Sequence, residues 1–568
     1  MSDVDTVVIG SGAGGLAAAL CLAQGGDRVA VFEQHYVPGG WCHSFQLGGH
    51  RYSPGVHYIG GLGPGGRTRA IYEGLGVAGD LTFLELNPDG YEHVQLGDAA
   101  RFDFPRGRDA LLARLKARFP RDSAGLDGYF ALVDRVTAQL GEIERTRRFV
   151  DFLTVPFRTR HLGRFGLQSL GRVLDRFVGD PALRSLLSVQ CGDHGLPPSR
   201  APFVVHASVA AHYYDGGAYP LGGGSAIPQA FAHALRRAGG QLHLRAAVDR
   251  VLVEGRGSAR RALGVRLADG TEVRARRVVS NADPGVTYGR LVGGEHLSGR
   301  LQRKLARTRW SPAVLSLFLA VDMDLAAAGF DSGNYWWTSS PDLETLWRFA
   351  TGGAAIAPGD LPGLFVTVTT LKDPFKSDGR LHTLEALTFV DYEAFRAFAM
   401  SRTEDRPDGY AALKRELQAR MLAAVEHVVP GLRAHVAFAE LGTPLTNEHY
   451  VGVTRGAAYG TEKSRWQVGP FGFGARSEID GLSLCGASTL GHGVLGATLS
   501  GMQAAAALVG CGVDDFLRAK GGAPLRVYPA DDPSGWPEAL RRRLADRRRA
   551  KAAHRADAML AAGAAHGA

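Results

Sequence analysis

Gly10, Gly12 and Gly15 stand at G-x-G-x-x-G spacing directly after an apolar run, Thr6-Val7-Val8-Ile9, and a second apolar run, Val29 to Phe32, ends on an acid, Glu33. These residue types in this order can hold a dinucleotide. Gly10 permits a tight turn, and Gly12 lets backbone approach a pyrophosphate. Gly15 lets the Ala/Leu-rich helix that follows lie close to the strand, with its N-terminus toward the phosphate charge. Glu33, 23 residues after Gly10, is placed to accept hydrogen bonds from ribose hydroxyls. Glycine-rich turns are common in a chain with 76 glycines. Strand, glycines, helix, strand and acid in sequence are far more specific.

A second group of residues could face a flat ring. Gly39-Gly40-Trp41-Cys42-His43 again brings bare backbone near something bulky, and Arg51-Tyr52-Ser53-Pro54-Gly55-Val56-His57-Tyr58-Ile59-Gly60-Gly61 packs polar aromatics between glycines. A protein core could use a single such Tyr or His without any ligand. Neither H-E-x-x-H nor G-x-S-x-G occurs, so neither a zinc protease nor an acyl-transfer elbow is indicated.

The elements that must position these residues are spread along 568 residues, more than one ordinary core, in a chain that is 45% hydrophobic and 21% charged. The sequence predicts a discontinuous nucleotide-binding domain over 1–85, 216–290 and 441–512. Its later pieces are Tyr219 to Ser225 opening a helix, Leu242 to Val253 with Leu263 to Leu267 as a hairpin, Ala275 to Ser280 as a short strand, and Gly481 to Ser488 followed by Gly491 opening a helix. Val248 would place its backbone near an adenine. Residues 86–215 and 291–440 are predicted as the substrate-binding domain, helical in its first part and mixed in its second, with strand-like Val314 to Val321 and Leu364 to Thr370.

Five scattered cysteines (Cys21, Cys42, Cys191, Cys485, Cys511) show no C-x-x-C spacing, which argues against a disulfide framework or structural zinc and for a reducing cytoplasm. The acidic start, Met1-Ser2-Asp3-Val4-Asp5, lacks a basic n-region, so no export signal is expected. Val494 to Cys511 is diluted by Ala, Gly and polar residues and reads as a buried helix rather than a bilayer span. Net charge is +9, and Trp536 to Leu560 carries eight basic against three acidic residues. With no continued apolar stripe beyond Leu540 and Leu544, this tail (513–568) reads as a solvated helix or frayed segment, or else as an anionic-lipid contact. Without interleaved aromatics it does not read as nucleic-acid binding. Eight arginines also crowd Arg145 to Arg176. There Leu162, Phe165, Leu170, Val173, Leu174 and Phe177 share one helical face, either a cationic amphipathic helix on a membrane, near Phe149, Phe152, Leu153 and Phe157, or an ordinary helix facing its core.

Taken together, Glu33-Gln34-His35, Gly39-Gly40-Trp41-Cys42-His43, Gly55-Val56-His57-Tyr58-Ile59-Gly60, Gly217-Ala218-Tyr219-Pro220, Val278-Val279-Ser280-Asn281-Ala282, Leu371-Lys372-Asp373-Pro374, Pro444-Leu445-Thr446-Asn447 and Arg455-Gly456-Ala457-Ala458-Tyr459-Gly460 resemble the flavoprotein family of phytoene desaturases, carotenoid isomerases and retinol saturases, most closely the retinol saturase branch. The resemblance extends to about residue 510. It implies an α/β fold: a Rossmann-like FAD-binding domain of the amine oxidase/phytoene desaturase type interleaved with an α+β substrate-binding domain. It implies FAD held by Gly10, Gly12, Ala13, Gly14, Gly15, Glu33, Gln34, Gly39, Gly40, Val248, Asn281, Gly486, Ser488 and Val494, an apolar tunnel for a polyene or isoprenoid lipid, and peripheral membrane contact. Many related flavoproteins place an acid beside the glycine equivalent to Gly486 to hold the ribityl chain; here Ala487 and Ser488 stand instead.

The chemistry implied is hydride exchange between flavin N5 and a conjugated C=C, as saturation, desaturation or redox-neutral isomerisation. His57 and Tyr58 are expected to approach the ring from the first half, and Arg455, Tyr459 and His492 from the C-terminal half, one of them supplying or relaying a proton. Only one dinucleotide fingerprint is visible, so no dedicated nicotinamide site is expected and the external electron donor or acceptor stays open. A prenyl-lipid carrier of the GDP-dissociation-inhibitor type and an amine oxidase share the architecture. The intact fingerprint with Glu33 and Gly39-Gly40 favours a flavoenzyme over the first.

Overall fold

An apolar run without polar alternation is what a strand covered on both faces requires. In the computed structural model of the protein, that run forms Val4–Ile9 inside a seven-stranded sheet. The structure describes residues 4–145, 155, 157–352, 357–377, 379–401, 405–518 and 522–551. Val4–Ile9 pairs in parallel with Val29–Phe32 on one side and with Glu272–Ser280 on the other; Val29–Phe32 in turn pairs with Gln241–His243. The C-terminal half of Glu272–Ser280 takes Leu482–Leu484 as a parallel neighbour, and its N-terminal half takes the antiparallel hairpin Val248–Glu254/Arg261–Leu267. Helix Ala13–Gln24 packs against both Ala226–Arg237 and Gly493–Val509. Three segments distant in sequence thus meet at one sheet, the α/β architecture expected.

One strand departs from expectation. Leu242 to Val253 is broken at Arg245, whose φ is +54°. Gln241–His243 stays in the parallel sheet, and Val248–Glu254 turns away to start the hairpin. Apolar periodicity does not register such a break, because the residues on both sides of it suit strands.

A second seven-stranded sheet runs in the order Val436–Gly442, Ala313–Val321, His382–Val390, Gly363–Val368, Asn334–Thr338, Glu92–Leu96, Phe102–Phe104. It is antiparallel except where Glu92–Leu96 lies parallel to Asn334–Thr338. Every residue of Ala313–Val321 is buried. Residues 123–145 and 203–212 form helices that cover a large apolar core with this sheet.

The basic stretch 160–177 is not one helix. It forms Arg160–Phe165 and Leu170–Leu174, with Phe165, Leu170, Val173 and Leu174 buried in that core. Of the two readings of this face, membrane surface or domain core, these four residues follow the second; Phe149, Phe152 and Leu153 lie outside the described residues. No helix among the described residues is long and apolar enough to cross a membrane.

The segment after 512 also differs from a solvated tail. Arg526–Pro529 adds in parallel to Thr82–Glu85, which pairs with Ala218–Pro220. Trp536, Leu540 and Leu544 are buried with Leu84 and Ala530, and Trp536 Nε1 donates to the Pro529 carbonyl at 2.6 Å. Two leucines four apart need no longer stripe when a tryptophan completes the contact. Trp536→Ala is expected to cost about 3 kcal/mol locally and to release the segment that follows. Limited proteolysis should then cut after residue 530 well before the rest of the chain.

Candidate functional site

The turn after Val4–Ile9 is built from backbone that tolerates no side chains. Gly10 has φ +86°, and a Cβ at Gly15 would lie 2.1 Å from the Gly10 carbonyl oxygen. A Cβ at Gly14 would meet Asn281 Oδ1, the Ala497 carbonyl and Gly486 N, all within 3 Å. Asn281, at the end of Glu272–Ser280, fits its amide among Gly12, Gly14 and Gly486 and accepts from Cys485 Sγ at 3.5 Å. Gly486 (φ +93°) donates its N–H to Ser500 Oγ at 3.0 Å. Gly39 and Gly40, both at positive φ, bring a second loop in, so that a Cβ on Gly40 would sit 3.5 Å from Gly12 Cα.

Glu33 ties these loops together. Its Oε2 accepts from Ser11 N at 2.8 Å and from Ser11 Oγ at 2.6 Å, its Oε1 accepts from His35 N at 2.9 Å, and Ser11 Oγ accepts from Gly39 N at 3.2 Å. A carboxylate offers about four lone-pair directions, and the three bonds above leave about one, on Oε1, for a hydroxyl. Ser11 is a residue that the sequence reading passed over. It occupies a variable position of the glycine motif, and only its distance to Glu33 shows its role.

These loops open on a cavity of about 1680 Å³, its mouth included. Gly10, Gly12, Ala13, Gly14, Glu33, Gln34, Gly39, Gly40, Val248, Asn281, Gly486, Ser488 and Val494 all line it; Gly15 lies behind the turn as a packing residue. The residues fit FAD: bare backbone at two loops, a helix N-terminus at Ala13, a carboxylate for ribose, and strand backbone at Val248 at the far end. Beside Gly486, where the resemblance leads one to expect an acid, Ser488 Oγ accepts from Thr461 N at 3.1 Å, and a buried amine, Lys463, donates to the Ala487 carbonyl. Burial lowers Lys463 to about 7.

A second cavity of about 570 Å³ shares His57, Val314, Leu387 and Tyr459 with the first. Beyond them its walls are mainly Trp336, Trp337, Leu346, Leu364, Phe365 and Phe389, with Tyr58, Asp193, Thr338 and Thr388 as the polar side chains. The second sheet thus supplies an aromatic channel opening from the dinucleotide cavity.

Of the expected catalytic residues, four gather at this junction. Tyr459 donates its hydroxyl to the Gly192 carbonyl at 2.8 Å, and its ring lies 5.0 Å from that of His492. His492 Nε2 lies 2.9 Å from the Asp193 carbonyl, which can only accept, so that nitrogen carries the proton. Burial holds His492 down to about 3, and the ring is neutral at physiological pH. His57 Nε2 stands 3.1 Å from Glu385 Oε2, and Lys372, fully buried and lowered by that burial to about 7, donates to the His57 carbonyl at 2.8 Å. Arg455 does not join them. Its side chain is half exposed and pairs with Glu393 at 3.3 Å, because the acids nearest to it stand outside the cavities.

Two functional candidates were missed. Tyr58 Oη lies 2.5 Å from Glu92 Oε1 and 2.9 Å from Asp193 Oδ2, all three side chains inside the protein. Burial raises Glu92 to about 7; burial, together with the Glu92 charge, holds Asp193 well above the usual carboxylate range. The signal for Glu92 was present: in Glu92–Leu96 it shares the period-two face of Val94 and Leu96, an acid where an apolar residue is due.

The family model described as flavin containing amine oxidoreductase matches residues 13–509. All-trans-retinol 13,14-reductase of Homo sapiens is 31% identical over 532 residues, covering 89% of this chain and 85% of that protein. Chloroplastic prolycopene isomerase of Arabidopsis thaliana is 27% identical over 516 residues, 88% and 82% of the two chains. An oxidoreductase from Methanosarcina mazei superposes with a TM-score of 0.59 at 18% identity, covering 88% of this chain and 99% of that one. Replacing Glu33 by Ala removes the carboxylate while leaving the glycine turns. FAD affinity is expected to fall roughly tenfold to a hundredfold, as for loss of charge-assisted hydrogen bonds, read by flavin absorbance retained after dialysis.

Proposed function

The chain belongs to the flavin containing amine oxidoreductases and is an FAD-dependent oxidoreductase, and we propose that its substrate is a polyene or isoprenoid lipid whose carbon–carbon double bond it saturates. The observation that carries this reading is the aromatic channel that opens from the dinucleotide cavity through His57, Val314, Leu387 and Tyr459. In this reading, residues 1–85, 216–290 and 441–512 hold FAD through the glycine loops, Glu33, Gln34, Val248, Asn281, Ser488 and Val494, and residues 86–215 and 291–440 take the substrate. FAD bound there supplies hydride exchange at its N5. The chain's own part is to exclude water, to lay a flat conjugated chain between Trp336, Phe365 and Phe389, and to bring a proton to it. His57, Tyr58, Tyr459 and His492 border or support the junction where this happens.

Similarity to retinol 13,14-reductases supports saturation, and similarity to prolycopene isomerases supports a redox-neutral alternative in the same channel. Anaerobic incubation of the reduced holoenzyme with retinol, phytoene and poly-cis carotenoids separates them. We expect a product heavier by two hydrogens. An unchanged mass with altered chromatographic retention would establish the isomerase, and a loss of two hydrogens the desaturase.

A membrane-bound source of substrate follows from solubility. Each CH₂ carried into water costs about 0.8 kcal/mol, whereas passage from bilayer to an apolar channel is nearly neutral. The surface that suits contact with anionic lipid is the start of the basic stretch, where Phe157 is 82% exposed beside exposed Arg158, Arg160 and Arg164. Flotation with anionic vesicles should be lost when Arg158, Arg160 and Arg164 are reversed to Glu; equal flotation would remove this contact.

A further inference from the structure

Saturation of a C=C needs a proton as well as a hydride, and the groups expected to give it are already committed. The Tyr459 hydroxyl hydrogen goes to the Gly192 carbonyl and the His492 Nε2 hydrogen to the Asp193 carbonyl. Both therefore hold the Gly192–Asp193 backbone in place. Arg455 faces away. What these contacts position is the Asp193 carboxyl, which lines the aromatic channel together with Tyr58.

Hydrogen counting decides the state of that carboxyl. Tyr58 Oη is within hydrogen-bond distance of two carboxyl groups, Glu92 at 2.5 Å and Asp193 at 2.9 Å, but a phenol has one hydrogen. It can donate to one acid only. The other contact is a hydrogen bond only if that acid is itself protonated and donates to the phenol oxygen. Two ionised carboxylates on one hydroxyl, away from water, are excluded by their repulsion. The surroundings say which acid keeps the proton. Glu92 has cationic groups near it, the Lys372 amine and His93, the latter held between Asp103 at 2.6 Å and Asp331 at 3.0 Å. The Asp193 carboxyl hydrogen-bonds to Tyr58 and shares the channel wall with Tyr459, and the groups that feel its charge, Tyr91, Tyr213, Cys191 and Glu92 with these two, include no cation; His492, neutral, holds its backbone carbonyl.

We propose that Asp193, protonated and hydrogen-bonded to Tyr58 on the channel wall, is the general acid of this site. The inference rests on the polyene reading above. In the step, the C=C π bond is replaced by two C–H bonds: one carbon receives a hydride from the reduced flavin, which is thereby oxidised by two electrons, and the other receives the Asp193 proton. Asp193 is left as a carboxylate and is reprotonated from water between turnovers. Glu92 and Tyr58 are positioning residues; when Asp193 gives up its proton, the phenol hydrogen can turn toward it and stabilise the new charge.

The test uses the FAD-loaded full chain. Wild type and Asp193→Asn, each grown with aspartate isotope-labelled at its side-chain carboxyl carbon, are compared by infrared spectroscopy at neutral pH. The label separates aspartate bands from flavin carbonyls. We expect a carboxylic-acid C=O band in wild type that Asp193→Asn lacks. With flavin pre-reduced by dithionite, polyene saturation by Asp193→Asn should fall roughly a hundredfold to a thousandfold, while FAD content and melting temperature stay near wild type. The wild-type rate should decline as pH rises through the ionisation of the acid, and the residual rate of the variant should not follow that profile. A wild-type spectrum without that band, or a variant within about threefold of the wild-type rate, overturns the assignment. A wild type that shows the band yet converts none of the polyenes overturns the polyene reading alone.

Discussion

The first and last helices of the nucleotide domain touch through bare backbone: a Cβ on Gly501 would lie 1.9 Å from the Gly14 carbonyl oxygen. No other residue type permits this approach without moving a helix. Everything at the site follows from it. The contact brings Gly486, Ser488 and Val494 beside the N-terminal glycine turn, and Asn281 locks the arrangement from the middle of the chain. A cradle assembled from residues hundreds of positions apart is thereby held together by close backbone packing.

The same helix carries the chemistry outward. His492 precedes its first turn and reaches the Asp193 carbonyl, so the position of the substrate-side acid depends on the helix that lines the flavin-side cavity. Tyr459 makes the parallel connection to Gly192. Two neutral hydrogen bonds thus couple the dinucleotide cavity to the channel. They suit a site in which the distance between hydride source and proton source matters more than the strength of any one contact.

How much of this was legible in the residue order depends on the kind of signal. The glycine turn, Glu33 and the paired Gly39-Gly40 are local, and their spacing announces a dinucleotide site before any tertiary contact is known. The α/β architecture followed from them. The break at Arg245 was not legible, because strand propensity continues through it. The burial of Leu170, Val173 and Leu174 was one of two readings of the same amphipathic face, and periodicity alone does not say whether core or lipid covers it. Asp193 sat unread in Cys191-Gly192-Asp193-His194 because its meaning lies in a phenol 135 positions earlier. Arg455 misled for the converse reason: a conspicuous residue in a shared motif, turned outward by nearby acids.

The buried ionisable groups near the two cavities share a physical logic. An apolar channel cannot border charges without paying for their desolvation, yet Lys372, Lys463, Glu92, Asp193 and His492 all lie beside it or behind it. Burial shifts each toward its neutral form: both lysines to about 7, His492 to about 3, and both acids upward. Neutral Asp193 and His492 let the channel border remain apolar enough for a hydrocarbon while keeping hydrogen-bond donors there, and the charge left on Glu92 has the Lys372 amine near it. At Tyr58, Glu92 and Asp193 this is most complete, since the phenol contacts both acids and its one hydrogen can serve whichever of them is ionised.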